Sequence, residues 1–186
     1  MSHLSPQALL DHLDALGIAA ETFAHEPVFT VAESRPVKAR IPGAHSKNLF
    51  VKDKKGRLFL ITAKDETPID LKRTHEAIGA SGRLSFGSAE QLRRVLGVEP
   101  GSVTPFAIVN DRAGQVTMIL DANLMEHERV NFHPLVNSMT TGVSRVEGGR
   151  VQGLFKNKPS EASGPPGAAS PPATKSKGLL PIGGGR

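Results

Sequence analysis

Residues 49–63 read Leu49-Phe50-Val51-Lys52-Asp53-Lys54-Lys55-Gly56-Arg57-Leu58-Phe59-Leu60-Ile61-Thr62-Ala63. Two strand-like runs, Leu49 to Lys52 and Leu58 to Ala63, flank the polar segment Asp53-Lys54-Lys55-Gly56, and that pattern is a β-hairpin. A second pair of strand candidates follows, Phe106 to Val109 and Val116 to Leu120, across the turn Asn110-Asp111-Arg112-Ala113-Gly114. Arg129 to Phe132 adds another strand and Leu84 to Phe86 a short one. Hairpins mixed with helices, with no regular strand–helix–strand repeat, favour an α+β domain over a doubly wound one. The expected fold is a single domain with a mixed, mostly antiparallel central sheet flanked by helices.

The helices announce themselves by their ends. Ser5 followed by Pro6 is an N-cap with proline at the first helical position. Leu9, Leu10, Leu13 and Leu16 then recur at helical spacing until Gly17. Ser88 with Gln91 three residues later opens a helix that Gly97 closes. A further helix is expected over Leu71 to Ile78. Thr30-Val31-Ala32-Glu33 has the form of a capping box, and Pro36 should kink or shorten the helix that begins there.

The 186 residues suffice for one domain with a proper core. With no cysteine in the chain, disulfide scaffolds, zinc–thiolate sites and cysteine nucleophiles are excluded. Asp11 and Asp14 interrupt the stretch a signal peptide would need, and no run approaches the ~18 apolar residues of a membrane span, so a cytoplasmic protein with no membrane partner is expected. Net charge is +5, but Lys156 to Arg186 hold five cations and one anion, leaving 18 cations against 17 anions in residues 1–155. The high isoelectric point is thus mainly a property of the tail and gives no support for DNA binding. From Pro159 onward Pro, Gly, Ser and Ala dominate, and such a segment cannot bury enough apolar surface to offset its ordering entropy. The expected organisation is a domain over 1–145 and a divergent, disordered tail over 146–186.

Chemistry-bearing signals are sparse. Seven histidines show no HExxH motif, and the serines show no GxSxG elbow. Neither a metal site nor a serine nucleophile is indicated. Three clusters stand out: His45-Ser46-Lys47-Asn48 ahead of Leu49-Phe50-Val51; the loop Gly101-Ser102-Val103-Thr104-Pro105; and Asn131-Phe132-His133-Pro134-Leu135-Val136-Asn137 with Thr140-Thr141. In this order they resemble the YbaK-like, prolyl-tRNA-synthetase-associated editing domains, more narrowly the freestanding deacylases that clear alanine mischarged on proline tRNA. The resemblance covers about residues 5–145.

What the resemblance implies is hydrolysis of the ester between an amino acid and the terminal ribose of tRNA(Pro), without metal or organic cofactor. Lys47 matches the family's essential lysine, which holds the terminal nucleotide as a flexible point charge. Gly101 matches the glycine of a loop whose backbone lies against the aminoacyl group, with Ser102 beside it. His133 matches the pocket histidine. Asn48 and Asn137 are expected polar contacts, and Phe29, Val31 and Phe50 expected apolar wall residues. Lys52, Lys54, Lys55 and Arg57 are expected to line a basic rim for the tRNA acceptor end, with prolyl-tRNA synthetase as a second partner. The shortage of aromatics, eight Phe and no Tyr or Trp, argues against general single-strand binding by rows of stacking platforms. Two alternatives stay open: the same hydrolysis on Cys or Ser carried by tRNA(Pro), and a non-catalytic tRNA- or synthetase-binding module.

The chain departs from the family after Ser144. Gly148 and Gly149 fall where a closing helix should propagate, each costing roughly 1 kcal/mol against alanine. A replaced or frameshifted C-terminal segment is expected there, without the family's last helix and strand.

Overall fold

The computed structural model describes residues 3–28, 31–144 and 179–182. Its strands are β1 (Ala20–Ala24), β2 (Ala44–Lys52), β3 (Leu58–Lys64), β4 (Ser85–Phe86), β5 (Val116–Asp121), β6 (Arg129–Phe132), β7 (Met139–Ser144) and β8 (Leu179–Ile182). Its helices are α1 (Pro6–Ala15), α2 (Val31–Lys38), α3 (Thr74–Ala77) and α4 (Ala89–Leu96). The strands form one mixed sheet in the order β1-β7-β6-β2-β3-β5-β8, with β4 also on β2. The β2–β6 and β3–β5 pairs are parallel and the others antiparallel. The expected α+β class is therefore the observed one.

The hairpin is the centre of the sheet. β2 and β3 pair from Ser46↔Lys64 to Lys52↔Leu58. Leu58 to Ala63 are all buried because helices cover one face of β3 and the 69–84 segment covers the other. Phe50, Leu58 and Leu60 pack with Leu9 and Leu13 of α1 and Leu92, Val95 and Leu96 of α4. Val51, Phe59 and Ile61 pack on the opposite face with Ile78, Leu84 and Ile119. A strand buried on both sides reads as a continuous apolar run rather than an alternation.

Both capped helices form as their end signals require. The Ser5 hydroxyl accepts from Ala8 N, and Ser88 and Gln91 complete a reciprocal capping box before Gly97 ends α4 in the left-handed region at φ 67. At the hairpin tip, the buried Asp53 carboxylate accepts from Lys55 N, Arg57 N, Arg57 Nε and Ser81 N at 2.8–3.0 Å. Burial alone would raise its pKa, but these hydrogen bonds hold it down at about 2.

Several expectations are corrected. The helix over 71–78 is only α3: Asp70 Oδ1 accepts from Lys72 N, an Asx turn that competes with helix, and Gly79 at φ 66 follows. Phe106 to Val109 is not a strand but part of a 3₁₀ turn, Pro105–Asn110, capped by Thr104 Oγ1 on Phe106 N. Proline at its start fixes a helical φ, and a four-residue apolar run does not tell a buried turn from a strand. β5 consequently pairs in parallel with β3. Lys47 and Asn48 lie inside β2 rather than ahead of it. Of the tail over 146–186 only Leu179–Ile182 is described, as a strand antiparallel to β5, and the rest lies outside the described residues. The capping box at Thr30 and the closing-helix region from Val146 to Arg150 lie outside the described residues.

Gly142 of β7 faces the side chain of Arg129, which crosses the sheet. Arg129 Nη1 donates to Glu21 Oε2 of β1 at 2.6 Å, and its guanidinium carbon stands 5.5 Å from the centre of the Phe23 ring. A Cβ at Gly142 would lie 2.3 Å from Arg129 Nε. Gly142→Val is expected to destabilise by about 1–3 kcal/mol in urea melts, and by clearly less in an Arg129→Ala background.

Candidate functional site

The sheet parts at β2. Only Ala44 and His45 pair with β6, opposite Val130 and Asn131, and from Ser46 onward β2 runs with β3. A small cleft, with a cavity volume of ≈ 50 Å³, opens at this fork. It is lined by His45 and Ser46 from β2, Asn131 and Phe132 from β6, His133, Thr140 from β7, His25 and Val28 after β1, and Ser34, Val37 and Lys38 from α2.

Three histidines converge there. His133 Nδ1 is 2.9 Å from Met139 O, so Nδ1 carries the proton and donates to the carbonyl. In the neutral ring Nε2 is then an acceptor, and it has no protein partner among the described residues. Burial lowers the His133 pKa, opposed by the Met139 carbonyl and assisted by the charges of His25, Lys38 and His45. His45 is also lowered, chiefly by burial; its Nε2 donates to Lys38 O and Ile41 O at 3.2 and 3.1 Å and so ties the end of α2 to β2. His25 Nδ1 donates to Glu26 O at 2.8 Å, and its Nε2 shares a 2.9 Å hydrogen bond with Thr140 Oγ1. Lys38 is held by Asp65 at 2.8 Å.

A folded pKa below the unfolded value means that the folded protein binds fewer protons, so stability is full above the unfolded histidine pKa of ~6.5 and declines as pH falls through the folded value. Thermal stability is therefore expected to fall from pH 7.5 to pH 5. His133→Gln should give a shallower slope, not a flat one, because His45 contributes with the same sign.

Lys47 and Asn48 stand next to Ser46 on β2 but do not line the cleft. Lys47 Nζ donates to Thr67 O. Thr67 is itself held by Asp121, whose Oδ2 accepts from Thr67 Oγ1 at 2.5 Å and from Lys64 N at 3.2 Å, while Oδ1 accepts from Asn123 N at 3.0 Å. Asn48 belongs to a polar chain across the sheet: Thr62 Oγ1 donates to Asn48 Oδ1, Asn48 Nδ2 to Ser46 Oγ, and Ser46 Oγ to Asn131 O.

The remaining expected residues are spread more widely. Gly101 is exposed at φ 91 and Ser102 is buried with its N–H on Glu99 O at 2.9 Å; neither lines the cleft. Asn137 Nδ2 donates to Val28 O at 3.5 Å and so steadies one cleft wall. Phe50 sits in the core, 4% exposed, not in the wall. Phe29 and the side chain of Val31 lie outside the described residues. The cations Lys52, Lys54, Lys55 and Arg57 are adjacent to Lys47 in sequence but not in space. At ~3.3 Å per residue, Lys52 is roughly 16 Å along β2 from Lys47, and the others lie beyond it. Arg57 is additionally committed to Asp53 and to Gly79 O at 2.9 Å.

Sequence reasoning missed His25, Thr140, Ser34, Val37 and Lys38 as cleft residues. His25 and Thr140 come together only through the β1–β7 pairing, which local patterning does not reveal. Among the described residues no group of three or more His, Asp or Glu side chains could hold a metal ion. No helix among them is long and apolar enough to cross a membrane.

Comparison with known proteins adds the following. A family model described as aminoacyl-tRNA editing domain matches residues 25–148. The prolyl-tRNA editing protein ProX of Acetoanaerobium sticklandii is 36% identical over 139 residues, covering 74% of this chain and 84% of its own. The bovine prolyl-tRNA synthetase associated domain-containing protein 1 is 40% identical over 141 residues, 74% of this chain and 82% of its own. A solved structure described as a candidate trans-editing enzyme for prolyl-tRNA synthetase superposes with a TM-score of 0.62 at 18% identity, covering 82% of this chain and 93% of that one.

Proposed function

Because the chain belongs to the aminoacyl-tRNA editing domain family, we propose that it is a trans-acting deacylase that hydrolyses alanine from mischarged Ala-tRNA(Pro). The observation that carries this reading is the cleft at the β2–β6 fork, where His133 keeps Nδ1 on a backbone carbonyl and Nε2 available. The terminal ribose and its alanyl ester enter the cleft. His133 Nε2 accepts a hydrogen bond from the α-ammonium group, which orients the ester and needs the imidazole neutral. Lys47, beside the cleft with its ammonium on a single carbonyl, turns one of its remaining N–H groups to a phosphate or ribose oxygen of the terminal nucleotide.

No side-chain nucleophile is required. The free hydroxyl of the substrate's ribose helps activate the attacking water, the ester carbon becomes tetrahedral, and the ribose oxygen leaves with a proton as alanine is released. Catalysis then rests on proximity and orientation, which can supply several kcal/mol of the barrier. Val28, Val37 and Phe132 narrow the cleft, so a methyl side chain enters and the prolyl ring is excluded by size. Steric exclusion of a larger group can be strong, whereas rejecting a smaller one by a missing methylene yields only about 1–3 kcal/mol.

The test is single-turnover deacylation of proline tRNA charged with Ala, Pro, Cys or Ser. Rapid loss of alanine with proline retained is the expected result. Preference for Cys or Ser would reassign the amino acid, and tRNA binding without any deacylation would replace the enzyme with a binding module.

A further inference from the structure

At the end of β2 remote from the cleft, the hairpin tip and the segment before β4 bring several cations and an exposed aromatic ring to one end of the sheet. Lys52 pairs with Ser85 and Val51 with Phe86. Lys54 N donates to Ser81 O at 3.1 Å, and the Lys54 stem lies over Gly82, where a Cβ would come within 2.9 Å of Cδ. Arg83 is thereby placed between the residue that Lys54 covers and the residue that pairs with Lys52. Lys54, Lys55 and Arg83 are exposed, Lys52 is half-buried, and Phe86 is 62% exposed. Residues 52–57 and 79–87 contain one acid, Asp53, and its carboxylate is buried and consumed by Arg57 and three backbone N–H groups. Glu76 on α3 and Glu90 in the first turn of α4, each three residues outside these segments, are the nearest further acids along the chain.

An exposed phenyl ring and unneutralised cations at the same end of the sheet match the chemistry of an RNA strand, in which phosphates meet ammonium and guanidinium groups and an unpaired base stacks on the ring. We propose that this end of the hairpin is a second RNA contact, which holds the nucleotides preceding the terminal one and the first phosphates of the acceptor stem while the terminal ribose occupies the cleft. The proposal rests on the deacylase reading and adds a partner surface to it. The spacing agrees: Ser46 to Lys52 spans six residues of strand, roughly 20 Å. At ~3.4 Å per stacked nucleotide that is about six nucleotides, and fewer in an extended strand. Arg57, tied down by Asp53 and Gly79, is replaced in this role by Arg83, and a single ring serves where a row of platforms is absent.

Two variants test it, Lys54→Gln/Lys55→Gln/Arg83→Gln and Phe86→Ser, with Lys54→Arg/Lys55→Arg as the charge-retaining control. Equilibrium binding of uncharged tRNA(Pro) is measured from 50 to 200 mM salt, together with deacylation of Ala-tRNA(Pro) and of 3′-alanyl adenosine 5′-monophosphate, which lacks the preceding nucleotides. The triple variant should weaken tRNA binding at least about 10-fold and flatten the log–log salt slope by about 2–3, one unit per lost phosphate contact. Phe86→Ser should weaken binding by about 5- to 100-fold with little change in slope. The control should bind like the wild type, and cleavage of the short substrate should be unchanged in every variant. Wild-type tRNA affinity and salt slope in the triple variant would overturn the second contact and leave an acidic protein surface as the partner of this patch. Failure of wild-type protein to deacylate either substrate would instead overturn the deacylase reading, and the binding arm would still decide the RNA contact.

Discussion

Lys47→Ala should lower kcat/KM for Ala-tRNA(Pro) by about 100-fold or more while leaving the fold intact. The side chain is half-buried on β2, and its ammonium makes one hydrogen bond, to Thr67 O. Losing that bond costs about 1 kcal/mol of stability or less, since the freed carbonyl can be hydrated. The catalytic loss is larger because the lysine is proposed to fix the nucleotide that carries the ester, and a misplacement of about 1 Å can cost 100-fold. Lys47→Arg keeps the charge but replaces a point donor with a wider planar fork, so partial activity is expected. Rates measured below and above saturation separate a lost nucleotide contact, seen mainly in KM, from misorientation, seen in kcat. An alanine variant with wild-type turnover would remove Lys47 from the reaction.

Asp121→Asn should cause a large loss of stability, about 3 kcal/mol, or roughly 6–12 °C in melting temperature for a domain of this size. Asp121 is fully buried, and both of its oxygens accept from groups that can only donate to it or must turn away: Lys64 N, Thr67 Oγ1 and Asn123 N. Asparagine has the same shape but turns one oxygen into an N–H donor, which then faces a donor or abandons a buried one. The loop from Lys64 to Thr67 also carries the carbonyl that receives Lys47. Activity per folded molecule should therefore fall with stability in Asp121→Asn. A core substitution such as Leu13→Ala, far from that loop in the chain, should lower stability by about 2–5 kcal/mol without that specific loss.

Elements with chemical punctuation were legible in the sequence. Ser5-Pro6, the Ser88–Gln91 box and Gly97 located α1 and α4, and the polar tip with Gly56 located the β2–β3 hairpin. Asp70 and Pro105 carried weaker punctuation that competed with the apolar pattern and shortened or replaced what the pattern suggested. β1 and β7 went unread because Ala-Glu-Thr-Phe-Ala and Met-Thr-Thr-Gly-Val-Ser are mixed in polarity and become strands by pairing with each other. The cleft followed the same rule: His133 and Thr140 stood in a recognisable motif, whereas His25 joins them through a register set by distant chain. Linear proximity misled in one case, since a strand carries its neighbours apart by about 3.3 Å each and puts Lys54 and Lys55 well away from Lys47.

That same β1–β7 pairing bears on how the protein is made. β1 takes β7 as its neighbour in the sheet, and the Thr22 and Thr141 hydroxyls that meet at 2.8 Å are 119 positions apart. During synthesis at about 5–20 residues per second, the first strand waits roughly 6–24 s before its partner exists. Over that interval the nascent chain carries Phe23 and an unpaired strand edge in a form that chaperones and other growing chains can engage. The fork that makes the cleft is completed in the same late step, so a ribosome stalled before Met139 holds a chain with the hairpin but no site.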